Sequence, residues 1–492
     1  MSWLQHLSLL SGPLPLLLTF GAFGTLAVTL AAAGWRGTRR VVLFATVSLV
    51  LVVVLARAID VEHVVRSSFP RSFFVWMALP VFATAVAVSQ WRGSGWARRA
   101  TSLGAVVLLI AFGANSINSH YAYMPTVGDA LGAPVEDQVA LAAVRPHGPE
   151  PVGLVAPRDH GEVASVAIPG QVSHFRARNA LVWLPPAYFA SPRPALPVIV
   201  VLAGVPGDPT DLIRGGQAVH VADRYAAAHG GMAPILAFVD DNGGFLDDTE
   251  CVDGPRGLAE TYVMTDVRSY LEAQFGASHE GSRWGVLGYS EGGTCALTLA
   301  LRHPDQLAAF LDISGDLAPN AGPGRDQRSR AIASLYGGDP RQWASHDPVE
   351  LLHTRSARRP AALFAAGTGD RRTMAITATL AAAAQGAGLP TTRSLFTGGH
   401  DFAMVHRAID AMFPLLADDL LASTGVYSPL LPHPDGTVPP VAGDSVLTGT
   451  VGLDPALRTF RHDPVGTACG HHHRASAADC LRAPTALAVT RR

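Results

Sequence analysis

The sequence predicts an α/β fold with a mostly parallel central sheet, preceded by a four-helix transmembrane bundle. Three observations carry this expectation. Of 492 residues, 48% are hydrophobic and only 15% charged, with a mean hydropathy of +0.24, whereas soluble chains carry nearer a quarter charged residues. Four apolar runs crowd the first 120 residues. Beyond them, short apolar runs of strand length alternate with helical periodicity. The length exceeds one ordinary domain. The expected division is a membrane bundle over 1–120, a connector over 121–160, a catalytic α/β domain over 161–425 and a Pro/Gly-rich extension over 426–492.

The apolar runs cover residues 13–33, 41–56, 73–89 and 103–117, and no charge interrupts them. Crossing the hydrocarbon core takes about 20 residues. The second and fourth runs therefore need their flanks, where arginine stems can carry charge to the headgroups. The N-terminus holds no Lys or Arg and three more runs follow the first, which excludes a cleaved signal peptide. Arg36, Arg39 and Arg40 in the first loop, with Arg92, Arg98 and Arg99 in the third, put both loops on the cytoplasmic side. The second loop spreads Arg57, Arg66 and Arg71 and offsets them with Asp60 and Glu62. Trp35, Trp91 and Trp96 sit beside the inner loops. The expected localisation is a multi-pass cell-membrane protein with its catalytic domain extracytoplasmic. A net charge of −2 and the lack of a long basic run argue against a nucleic-acid partner. The spans hold no acidic or basic residue of the kind that marks a transport pathway.

Strands are expected at 196–202, 234–239, 284–288, 309–314, 361–366 and 393–396. A helix is expected after Glu260, where Tyr262, Val263, Val267, Tyr270 and Leu271 share a face. Such alternation implies a sheet covered on both faces. The decisive segment is Gly288-Tyr289-Ser290-Glu291-Gly292. It closes an expected strand and opens an expected helix at 293–301, the context of a nucleophile elbow and hence of an α/β-hydrolase fold. A serine hydroxyl needs an oriented base to take its proton. His400, on the Gly-rich loop Thr397-Gly-Gly-His400 after a strand, is the candidate, with His406 on the following helix the lesser one. The expected chain order is nucleophile, acid, histidine. Asp370, at the end of the 361–366 strand, is favoured as the acid over Asp316, and Asp401 is too near His400. The oxyanion needs two donors. These are assigned to the N–H groups of Glu291 and, because Pro206 has none, of Val205.

These segments resemble the putative-esterase family of α/β-hydrolases, which includes mycolyltransferases and S-formylglutathione hydrolase. The resemblance spans about 163–422. It rests on Leu202-Ala-Gly-Val205, Glu260-Thr-Tyr262, the serine pentapeptide, Ile313-Ser-Gly315 and Gly398-Gly-His-Asp-Phe402. It implies Ser290 as nucleophile, His400 as base, and Val205 with Glu291 as oxyanion donors. Asp370 stands near the strand end where mycolyltransferases place a glutamate. No arginine adjoins Gly207, unlike the mycolyltransferase oxyanion loop. The whole chain is similar to actinobacterial membrane esterases with several N-terminal spans. The expected activity is hydrolysis of lipid or small acyl esters; an acyltransferase and a catalytically silent receptor are the alternatives.

No cofactor and no metal are expected. The acidic stretch Asp240, Asp241, Asp247, Asp248, Glu250 and Asp253 fits no EF-hand spacing and is expected as a solvated loop rimming the site. Cys251 and Cys295 are read either as a pair or as buried thiols. Cys469 and Cys480, flanking His471, His472 and His473, are expected as a disulfide rather than a zinc site.

Overall fold

The computed structural model describes residues 2–33, 38–58, 70–135, 138–144, 159–191, 193–321, 326–353 and 359–422. Several sequence expectations lie outside the described residues: the loop positions Trp35, Arg36, Asp60, Glu62 and Arg66, part of the connector, and Cys469, His471–His473 and Cys480.

Among the described residues, after a single turn at Ser2–Gln5, four long helices follow: α1 (Pro13–Ala33), α2 (Thr38–Ala58), α3 (Arg71–Gln90) and α4 (Trp96–Tyr121). The two short apolar runs belong to helices of 21 and 26 residues, because Thr38-Arg39-Arg40 and the polar turn from Trp96 continue the helical backbone. All four are long and apolar enough to cross a membrane. Leu16, Leu17, Phe20, Leu43 and Ile110 point outward, while small Ala22, Ala83 and Ala105 are buried between helices. Thr19, Thr25 and Thr29 donate their hydroxyls to carbonyls one turn back, so these hydroxyls are satisfied within the helix.

The region after these helices is built on a nine-stranded sheet. Its strands are β1 (Gln138–Val139), β2 (Glu162–Val166), β3 (Ala180–Leu184), β4 (Val198–Leu202), β5 (Ile235–Val239), β6 (Trp284–Tyr289), β7 (Ala309–Ile313), β8 (Ala361–Gly367) and β9 (Thr391–Phe396). Their order is β1-β2-β3-β5-β4-β6-β7-β8-β9. From β5 to β9 every pairing is parallel, and β3 is antiparallel to both of its neighbours. Central strands such as Val198-Ile-Val-Val-Leu202 are buried at every position, which is why they read as unbroken apolar runs. Helices α5 (Ala218–Ala228) and α8 (Phe402–Ala422) cover one face; α6 (Glu291–Arg302) and α7 (Arg371–Gly386) cover the other. The helix expected after Glu260 forms, with a wider π turn over Tyr262–Val267. That turn carries Asp266, whose carboxylate accepts from the Val172 and Ser173 N–H groups.

Candidate active site

Ser290 stands between β6 and α6 with φ 59° and ψ −118°. A non-glycine residue on that side of backbone space is strained by on the order of 1–3 kcal/mol. Its neighbours make the bend possible. A Cβ on Gly288 would collide with the Gly292 carbonyl, and one on Gly292 with the Ala203 carbonyl. The bend exposes the hydroxyl above the sheet, and Ser290 N–H donates to the Ile313 carbonyl at 2.9 Å.

His400 follows β9 and reaches across to this bend. Its Nε2 lies 2.9 Å from Ser290 Oγ. Its Nδ1 lies 3.3 Å from Asp370 Oδ2. The ring leans on Tyr289, with centroids 4.9 Å apart. Asp370 is held independently: its Oδ1 accepts from the N–H groups of Arg372 and Thr373, capping α7. Burial would raise the Asp370 carboxyl, but His400 and the Thr373 N–H outweigh it and hold it down at about 2. The other contenders are engaged elsewhere. Asp316 pairs with Arg372 at 2.7 Å and accepts from Asn320 at 2.7 Å. Asp401 accepts from the Gly399 and Met404 N–H groups, and His406 faces the Gly216 carbonyl.

The loop after β4 lies against the bend. A Cβ on Gly204 would sit 3.0 Å from Ser290 Cβ, so a larger residue there would press on the nucleophile. Val205 follows, joined to Pro206 by a cis peptide. The N–H of Glu291 is next to the nucleophile by sequence. The chain positions nearest Gly207 lack an arginine, yet Arg178 supplies one from a distant segment. Its Nη1 donates to the Gly207 carbonyl at 2.9 Å, and its Nη2 pairs with Asp240 at 2.6 Å. Nothing local to Gly207 or to Arg178 announces this contact.

That pairing also corrects the expectation of a solvated acidic rim for half of its residues, while Asp247 stays exposed and Asp248 and Asp253 half-buried. Asp240, Asp241 and Glu250 are buried. Arg178 neutralises Asp240, while burial and then the Asp240 charge push the Asp241 carboxyl well up. Cys251 and Cys295 form a disulfide between this loop and α6, which resolves the two readings of these thiols. Ligand atoms of Asp241, Cys251, Glu291 and Cys295 cluster within 4.8 Å, but the disulfide uses both sulfurs. A cavity of about 640 Å³ lies apart from all these groups, lined by Phe44, Val81 and Val88 of α2 and α3.

Beneath the bend, Asp312 of β7 is fully buried and accepts from the Gly315 N–H at 2.8 Å. Its Oδ2 has no partner among the described residues. Burial raises the carboxyl from an ordinary 3.8 to about 7. Between those values the unfolded chain releases the proton and the folded chain keeps it. Stability from this group therefore falls as pH rises from 3.8 towards 7, and the deficit is complete above that. A shift of this size corresponds to on the order of 4 kcal/mol. Asp312→Asn keeps the acceptor and removes the titration. Denaturant unfolding from pH 5 to 8 should show the variant gaining on the wild type as pH rises.

A sheet in this order, with a serine on a strained bend after the central β6 and a histidine after the last strand, defines an α/β-hydrolase. Comparison with known proteins narrows the class. Residues 174–416 match the putative-esterase family. An uncharacterised protein of Corynebacterium glutamicum is 31% identical over 313 residues, covering 61% of this chain and 72% of that protein. A diacylglycerol acyltransferase/mycolyltransferase of Mycobacterium ulcerans is 33% identical over 99 residues, covering 18% of this chain and 29% of its own length. Among solved structures, a ferulic acid esterase has 21% identity and a TM-score of 0.46, covering 53% of this chain and 98% of its own. The S-formylglutathione hydrolase of Agrobacterium tumefaciens has 18% identity and a TM-score of 0.44, covering 54% and 97%. The chain belongs to the putative-esterase family of α/β-hydrolases.

Proposed function

We propose that this chain is a membrane-anchored serine esterase that cleaves lipid or small acyl esters at the extracytoplasmic face. Residues 1–120 anchor it, 161–425 carry the chemistry, and 426–492 form an extension. The observation that carries the reading is the 2.9 Å contact between His400 Nε2 and Ser290 Oγ.

In this mechanism Ser290 Oγ attacks the ester carbonyl while His400 Nε2 takes its proton. Asp370 holds the Nδ1–H tautomer and stabilises the imidazolium that forms. The N–H groups of Val205 and Glu291 receive the oxyanion. Collapse expels the alcohol, which takes the proton back from His400 and leaves Ser290 acylated. Water, deprotonated by the same imidazole, then attacks the acyl-enzyme and releases the acid. Transfer of the acyl group to a sugar or lipid hydroxyl is the second reading. It is favoured by the 99-residue match to an acyltransferase.

Purified full-length protein should release p-nitrophenol from short acyl esters and take a fluorophosphonate label. Ser290→Ala should lose both. Labelling that persists in this variant rejects Ser290 as the nucleophile. Product analysis with added acceptor alcohols separates hydrolysis from transfer.

A further inference from the structure

The loop that carries Val205 has few attachments of its own. Gly207 N–H donates to the Phe245 carbonyl at 3.0 Å, and Arg178 holds the Gly207 carbonyl. The third attachment is Asp211. Its Oδ2 accepts from the Asp208 N–H at 2.8 Å, and its own N–H donates to the Asp208 carbonyl at 3.0 Å. The fit is close, since a Cβ on Gly207 would lie 3.0 Å from Asp211 Oδ2. The other oxygen, Oδ1, accepts from Tyr123 Oη at 2.7 Å. Tyr123 lies two residues beyond the end of α4. Its ring packs on Phe402 at 5.4 Å, Phe402 packs on Tyr289 at 5.2 Å, and Tyr289 packs on His400. One side chain at the end of the fourth apolar helix thus touches the supports of both the oxyanion loop and the histidine.

We infer that Tyr123 is a positioning residue, which through Asp211 fixes the oxyanion loop, so that the N-terminal bundle is part of the catalytic apparatus rather than a tether alone. Two features direct the contact. Asp211 is buried, so its carboxyl needs the donors it has. The turn after α4 is also fixed: Asn118 holds the Met124 N–H and carbonyl, and Val127 N–H donates to the Leu7 carbonyl. Tyr123 therefore enters the domain from a rigid base. An oxyanion donor works by being in place before charge develops, and a displacement near 1 Å can cost about a hundredfold.

This inference rests on the proposed esterase reading, and the experiment separates the two. Full-length wild type, Tyr123→Phe and Tyr225→Phe are compared in detergent for kcat, KM, fluorophosphonate labelling rate and melting temperature. Tyr225→Phe is the matched control. It removes another phenol–carboxylate bond, to Asp418 at 2.5 Å, on helices α5 and α8. Tyr123→Phe should lower kcat and labelling rate by about ten- to a hundredfold, with KM within about twofold. Tyr225→Phe should keep kcat while losing a similar few degrees of melting temperature. Asp211→Ala should lower kcat likewise, and Tyr123→Phe added to it should cost nothing more. Equal kcat in wild type and Tyr123→Phe overturns the inference and leaves the esterase reading intact. A wild type that neither turns over esters nor takes the label removes both.

Discussion

Replacing His400 with alanine should lower turnover by about a millionfold, and adding Ser290→Ala should lower it no further. Both side chains serve one proton transfer across the 2.9 Å gap between Nε2 and Oγ. Without the imidazole the hydroxyl stays protonated; without the hydroxyl the imidazole has nothing to deprotonate. Residual catalysis of about 10³–10⁴ over water would remain from the oxyanion donors and binding. The measurement is kcat on an activated ester for both single variants and the double. Effects that multiply would mean that the two groups act separately. His406→Ala, on the next helix and turned to the Gly216 carbonyl, should change turnover little.

Asp370→Asn should lower turnover by about 10⁴, while Asp316→Asn should cost less than tenfold. The two carboxylates are both near the site, but their contacts differ in kind. Asp370 gives Oδ1 to the α7 N-terminus and turns Oδ2 to His400 Nδ1 at 3.3 Å. An asparagine there can keep the cap and still present the wrong partner to the ring, so the variant folds and the tautomer is lost. Asp316 spends its oxygens on Arg372 and Asn320. The wild-type Asp370 carboxyl is held at about 2 and stays ionised across the working pH range. Its stabilising contribution is present above its unfolded value of 3.8 and is lost as pH falls from there through about 2. Acid unfolding should therefore begin at higher pH in wild type than in Asp370→Asn, once their neutral-pH stabilities are matched. A larger loss of turnover in Asp316→Asn than in Asp370→Asn would reverse the assignment.

Much of this fold is written locally. The six runs at 196–202, 234–239, 284–288, 309–314, 361–366 and 393–396 each coincide with a strand; the first five are buried at nearly every position, so they read as apolar runs, whereas the last falls in the edge strand β9, which is mostly polar and only partly buried. The meeting of Ser290, His400 and Asp370 follows from a related pattern, since each sits where a strand ends and a glycine-containing turn begins. The antiparallel strands β2 and β3 went unread, since Glu162–Val166 alternates weakly and its pairing is made with a partner that periodicity does not name. The burial of Asp240 and its neighbour Asp241 escapes a local reading because the cation that neutralises Asp240 comes from Arg178, 62 positions away. Arg178 on Gly207 and Tyr123 on Asp211 are products of tertiary contact, and no spacing rule reports them.

The backbone at Ser290 has a further consequence for how such a molecule fails. Its unfavourable angles are held by close packing, with Gly288 of β6 against the Gly292 carbonyl and Gly292 of α6 against the Ala203 carbonyl. Warming that loosens this packing is expected to let the serine slip out of register with its imidazole while the nine strands still hold. Esterase activity should then be lost at a lower temperature than the far-ultraviolet circular dichroism signal, and coincident midpoints would show that the bend and the sheet come apart together.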